Sequence, residues 1–206
     1  MDFDGGRERT FGIDGSSWSA TVVLPRLAVG LLSIALVGCS LFQTTRPPVP
    51  LASSVDLQRF AGDWYVIAFI PLFPEKNAHN AIESYAINPD GTIATTYRFR
   101  DGAFDGPLKV HHPRGFVREN TENALWGMQF FWPIKAEYRI AYLESDYSTT
   151  IIARSRRDYV WLMSRKPDMS DADYTRYRTM MGEMGYDLSE LRRVPQQWPE
   201  PAEARR

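Results

Sequence analysis

Between Asp63 and Arg165 the chain offers eight short runs of β-forming residues and no helical period between them. Trp64 to Ile70 is dense in aromatic and β-branched side chains and stops at Pro71. Ile82 to Ile87 leads into Asn88-Pro89-Asp90-Gly91, a strong turn signal. Thr92 to Phe99 alternates and ends at Asp101-Gly102. Leu108 to Val117, Ala124 to Trp132, Tyr138 to Leu143, Thr149 to Ala153 and Tyr159 to Ser164 complete the series. Short strands at close spacing with turn signals between them predict an antiparallel sandwich or barrel.

One helix is expected after the strands. Ser170 suits the N-cap, with Asp171 and Asp173 in the first turn and Gly185 at the stop. Tyr174, Tyr177, Met181 and Met184 fall on one face at helical spacing. A stripe of this kind predicts docking against the barrel wall.

The first fifty residues concern address. Leu27 to Val37 is an uninterrupted uncharged run of 11 residues. That is about half of the roughly 20 needed to cross a bilayer as a helix. Arg26 precedes it; Gly38 and Cys39, the one cysteine of the chain, follow it. A basic residue, a short apolar run and a small residue at the cut form a secretory signal. Met1 to Thr21 is polar and partly acidic, unusual ahead of a signal, and points to a start of translation at Val22 or Val23. Gln43 to Ser54 holds Pro47, Pro48 and Pro50 and reads as a stiff spacer.

Leu36-Val37-Gly38-Cys39 resembles a bacterial lipobox. The resemblance implies a diacylglyceryl group on the Cys39 sulfur and cleavage just before it. It also implies an outer-membrane destination, because Ser40 rather than Asp follows the cysteine. The expected organisation is therefore an extension and signal over 1–38, an acylated cysteine and spacer over 39–54, the folded domain over 55–198, and a tail over 199–206.

Gly62-Asp63-Trp64-Tyr65 opens the first strand. Asp146-Tyr147 lies at a late turn, and Asp158 to Pro167 reads D-Y-x-W-x-x-S-R-x-P, with Arg165 at the end of the last strand. In order and spacing this set is similar to the lipocalin family, in its bacterial outer-membrane lipoprotein branch. The resemblance implies an eight-stranded antiparallel up-and-down β-barrel with one C-terminal helix packed on its wall. It casts Gly62, Trp64, Tyr65, Asp146, Tyr147 and Arg165 as structural, with Trp64 flooring the barrel under the Arg165 guanidinium.

Side chains alternate inward and outward along a strand. The more apolar phase of Ala124 to Trp132 is Trp126, Met128, Phe130 and Trp132, expected to point inward. Tyr138, Ile140 and Tyr142 are expected inward in the next strand, and Trp161 in the last. These eight residues are the expected ligand lining. The aromatic supply fits, with 6 Trp, 11 Phe and 10 Tyr in 206 residues. The resemblance implies a fatty acid or lysophospholipid as ligand. Its head group would look for Lys135, Arg98, Arg100 or Lys109 at the mouth.

Other classes have little support in the residues. With 24 basic and 25 acidic residues, the chain has no field of one sign to draw nucleic acid. His111 and His112 are adjacent, so on a strand they face opposite ways and cannot line one catalytic site. Of the common enzyme motifs, G-x-S-x-G, H-E-x-x-H and the phosphate loop are all missing. The expectation is a binding protein that is not an enzyme and has no cofactor or metal; His79, near the expected mouth, is the residue a haem would need. An enzyme acting on a lipid would be told apart by chemical turnover of lipid extracts, and a purely structural envelope protein by failure to bind fluorescent fatty acids. Membrane attachment through the acyl chains on the periplasmic side is expected, and a homodimer stays open.

Overall fold

The computed structural model describes residues 47–71 and 75–200. The signal, Cys39 and the distal tail lie outside the described residues. The strands are β1 (Gly62–Ile70), β2 (Ala78–Ile87), β3 (Ile93–Asp101), β4 (Leu108–His111), β5 (Arg114–Val117), β6 (Leu125–Phe131), β7 (Ile134–Leu143), β8 (Thr149–Ala153), β9 (Val160–Ser164) and β10 (Arg192–Arg193). Two helices, α1 (Leu57–Phe60) and α2 (Asp171–Glu183), complete the domain.

Every strand pairing is antiparallel, and neighbours in sequence pair in turn. β9 returns to pair with β1, from Tyr65↔Ser164 to Ile70↔Val160, and this closes the barrel. The fourth wall strand is split into β4 and β5 at His112-Pro113. Proline has no N–H for the ladder, and here its carbonyl accepts from the Thr95 N–H at 3.1 Å instead. With β4 and β5 counted as one strand and β10 as an appendage on β1, the barrel has eight strands.

The strand directions give the barrel two different ends. Gly62, Ile87, Ile93, Val117, Leu125, Leu143, Thr149 and Ser164 lie at one end, which α1 covers. Ile70, Ala78, Asp101, Leu108, Phe131, Ile134, Ala153 and Val160 lie at the other, the open end.

Two apolar clusters divide by face. Inside the barrel are Trp64, Val66, Phe69, Tyr85, Tyr97, Phe99, Trp126, Met128, Tyr138, Ile140, Trp161 and Met163. Outside, Ile67, Ala141, Ile151, Val160 and Leu162 pack beneath α2, where Tyr177 and Met181 are buried. Ser170 caps α2 as its composition predicts, accepting from the Asp173 N–H at 3.1 Å. Gly185 sits just past the helix at φ +88°, a conformation that favours glycine.

Candidate functional site

The floor of the barrel is built from α1 and Arg165. Asp56 caps α1 by accepting from the Gln58 N–H at 2.9 Å, and the helix runs under the first strand. Its C-terminal carbonyls are exposed to capture by a cation. Arg165 Nη2 donates to the carbonyls of Arg59, Phe60 and Ala61 at 2.8, 3.0 and 2.9 Å, and Nη1 donates to Asp63 at 2.7 Å. The guanidinium lies 3.8 Å from the Trp64 ring centre. Trp64 is fully buried, and its indole N–H donates to the Phe60 carbonyl at 2.8 Å. Gly62 has φ +91°, which lets the chain turn from α1 into β1 under that guanidinium.

Tyr147 and Asp146 belong to the same floor. The Tyr147 hydroxyl accepts from the Asp56 N–H at 2.8 Å, while Arg59 stacks on its ring at 3.9 Å. Asp146 accepts from the Ser148 N–H at 2.9 Å, shaping the β7–β8 turn, and the Ser148 hydroxyl together with that N–H holds its carboxyl below the usual range. Tyr65 points outward, its ring edge-on to Trp198 at 5.4 Å.

Above the floor the interior is a stack of rings. Trp126 stacks on Tyr138 at 5.3 Å, and Tyr97 meets Trp161 at 4.7 Å. Phe60 touches Trp64, Tyr85 and Trp126. Five residues expected to line the interior therefore do face it: Trp126, Met128, Tyr138, Ile140 and Trp161.

Three others do not, and two β-bulges are the reason. The β6–β7 register slips between Met128↔Ala136 and Phe131↔Ile134, so two residues of β6 oppose one of β7. The alternation breaks there. Phe130 and Trp132 are 45% and 86% exposed instead of inward. The β7–β8 register slips between Ile140 and Tyr142. Ala141 and Tyr142 consequently both lie on the outer face, and Tyr142 meets Tyr177 of α2 at 6.0 Å.

Two acids outside the expected site are also buried. Glu83 is 1% exposed, on the inward phase of β2 between Ala81 and Tyr85. It accepts from the Tyr85 hydroxyl at 2.5 Å and from Tyr138 at 3.3 Å, and the two tyrosine hydroxyls are themselves in contact. Burial pushes the Glu83 carboxyl up to about 8; the charge of Glu75 adds to the rise and the tyrosines oppose it. Glu75, near the open end, is pushed by burial up to about 7 against the opposing pull of Trp161. The signal for Glu83 was present: phasing β2 on Tyr85 puts residue 83 on the same face.

Three of the four expected mouth cations are engaged elsewhere. Arg98 and Arg100 pair with Glu200 at 3.3 and 2.9 Å. Lys135 Nζ lies 3.4 Å from the Phe116 ring centre, and Lys109 is on the exposed β4. His79 lies on β2 near the open end, its Nδ1 2.9 Å from the Asn77 carbonyl and its ring against Phe104. His112 Nδ1 is 3.2 Å from the Thr96 hydroxyl, and His111 stacks beside Tyr97 and Phe99. A surface cleft of about 640 Å³ lies outside the barrel at its closed end, between Glu144, Arg165, Asp168 and Tyr177.

This barrel, floored by Trp64 and Arg165 and filled with rings, has counterparts among known proteins. The family model described as a lipocalin-like domain matches residues 55–196. The chain belongs to the lipocalin family. Among curated lipocalins it is 27% identical over 165 residues to temperature-induced lipocalin-1 of Arabidopsis thaliana, covering 74% of this chain and 86% of that protein. It is 24% identical over 171 residues to the outer membrane lipoprotein Blc of Escherichia coli K12, covering 82% and 94%. The lipocalin fold is matched by insecticyanin from the tobacco hornworm Manduca sexta, with a TM-score of 0.58 at 16% identity over 75% of this chain and 87% of that one. With Blc relatives of 24–26% identity over most of the chain, this lipocalin sits in the bacterial Blc branch.

Proposed function

We propose that this lipocalin is a non-enzymatic carrier, tethered to the outer membrane through acyl groups on Cys39. It binds, stores or transports a small apolar ligand, a fatty acid or lysophospholipid, in maintenance of the cell envelope. The observation that carries the reading is the interior itself: a closed barrel, sealed at one end by the Trp64–Arg165 floor and walled by Tyr85, Tyr97, Trp126, Tyr138 and Trp161. An acyl chain matches such a wall in polarity, and an eight-stranded barrel holds one small ligand. The rings pack on one another, so admitting a chain requires them to swing apart.

The name of the Blc relatives, outer membrane lipoprotein, supports the destination. The lipobox at Leu36 to Cys39 supports the anchor.

Native mass spectrometry of the protein purified from membranes tests the reading. A bound species that extracts into organic solvent with the mass of a fatty acid or lysophospholipid is expected, and Tyr138→Ala together with Trp161→Ala should lower its occupancy at least tenfold. Absence of any lipid, combined with failure to bind a fluorescent fatty acid at micromolar concentration, would remove the carrier function. Chemical conversion of added lipid would replace it with an enzyme.

A further inference from the structure

Among the described residues six large apolar side chains are exposed: Leu108, Val110, Phe130, Phe131, Trp132 and Ile134. All lie at the open end, on β4 and on the β6–β7 hairpin. That hairpin overshoots its neighbours. Pairing of β6 with β5 ends at Gln129↔Arg114, and pairing of β7 with β8 ends at Arg139↔Ala153. The two strands continue together to Phe131↔Ile134. Phe131, Trp132 and Ile134 at its tip are 79%, 86% and 71% exposed. An apolar projection of this kind on a water-facing protein marks a contact surface.

Two further observations select the occupant. The first is charge. Leu125 to Ala136 contains one charged residue, Lys135, and Leu108 to His111 contains one, Lys109; neither stretch contains an acid. Aromatic rings flanked by lysines suit the boundary between acyl chains and phosphate head groups. Two such tips meeting in a symmetric dimer would bring like charges together.

The second is where the described chain begins. The Pro47 carbonyl accepts from the Arg157 guanidinium, in the β8–β9 loop at the open end. Val49 then accepts from Arg139 at 3.1 Å, the Ala52 N–H donates to Ile140, and the Val55 N–H donates to Glu122 near the floor. The segment therefore descends the wall from the open end. Cys39 is eight residues before Pro47, and eight residues reach at most about 28 Å.

We propose that the tip of the β6–β7 hairpin is a wedge that inserts into the surface of the phospholipid bilayer and seats the open end of the barrel on the membrane. The inference deepens the anchor reading above and rests on it. Ligand then passes between barrel and bilayer without crossing bulk water.

The test uses the protein purified from membranes and reconstituted into phosphatidylethanolamine–phosphatidylglycerol vesicles, with or without lipids brominated on the acyl chains. Trp64, Trp126 and Trp161 are buried and Trp198 is half-buried against Tyr65 on the outer wall, so Trp132, 86% exposed, is the indole that reports contact at the tip. Bromolipid quenches the wild-type emission, Trp132→Phe loses that quenching, and Phe131→Ser with Ile134→Ser reduces it several-fold while near-ultraviolet circular dichroism is unchanged. Equal quenching of wild type and Trp132→Phe, or none in either, overturns the wedge. Shielding of Trp132 from both bromolipid and aqueous iodide, with cross-linking of two chains through the tip, overturns it in favour of a second copy. Intact mass reports the anchor separately. A mature mass without acyl groups sinks the tether alone, and the same quenching measurement on that chain then reads the wedge directly.

Discussion

Arg165 does four things with one planar group: it caps three carbonyls of α1, binds Asp63, covers Trp64 and bounds the turn at Gly62. Lysine has the charge but not the fork. Arg165→Ala should therefore cost about 2–3 kcal/mol in urea unfolding, and Arg165→Lys should recover less than half of it. The role of this residue was legible in the sequence, because its place at the end of the last strand fixes its distance from Trp64. Glu83 was less legible. A carboxylate in the middle of a strand reads as solvent-facing by residue type, and only the phase set by Tyr85 reveals that it is inside.

Among the elements, α2 was predicted in cap, face and stop, since each rests on local chemistry that sequence states directly. Its partner on the wall is Met181, fully buried over the outer faces of the barrel strands. Met181→Ala should cost about 2–4 kcal/mol, measured as a lowered urea midpoint, and should loosen the helix before the barrel. The errors at Phe130, Trp132 and Tyr142 are of another kind. The period of two was right, but one extra residue in β6 and another in β7 shift everything beyond them. A bulge is set by the partner strand, so pattern in a single strand does not show it. The run from Leu108 to Val117, expected as one strand, is two, and Pro113 carried the signal for the break.

For the whole molecule, the paired acids set how stability follows pH. An ordinary carboxyl of 4.5 becomes about 8 at Glu83 and about 7 at Glu75, so the folded state keeps protons that the unfolded chain releases. The unfolded state binds fewer protons across that range, and stability falls as pH rises. The contribution is complete below about pH 4.5 and gone above about pH 8. Urea midpoints should decline over this window by the equivalent of a few kcal/mol. Glu83→Gln should flatten the decline above about pH 7, leaving the part that belongs to Glu75.

Closure of the barrel by β1 against β9 also governs when it can form. The pair Tyr65↔Ser164 joins positions almost a hundred residues apart, and the Arg165 fork that seals the floor reaches back to α1 over the same interval. Contacts of such sequence separation make folding slow, because the loop must close before any of them is gained. A chain made from its N-terminus has no mate for the second edge of β1 until Ser164 has emerged. The fold thus delays its own closure: hairpins can pair as they are made, but the barrel is complete only when nearly all of the chain has arrived.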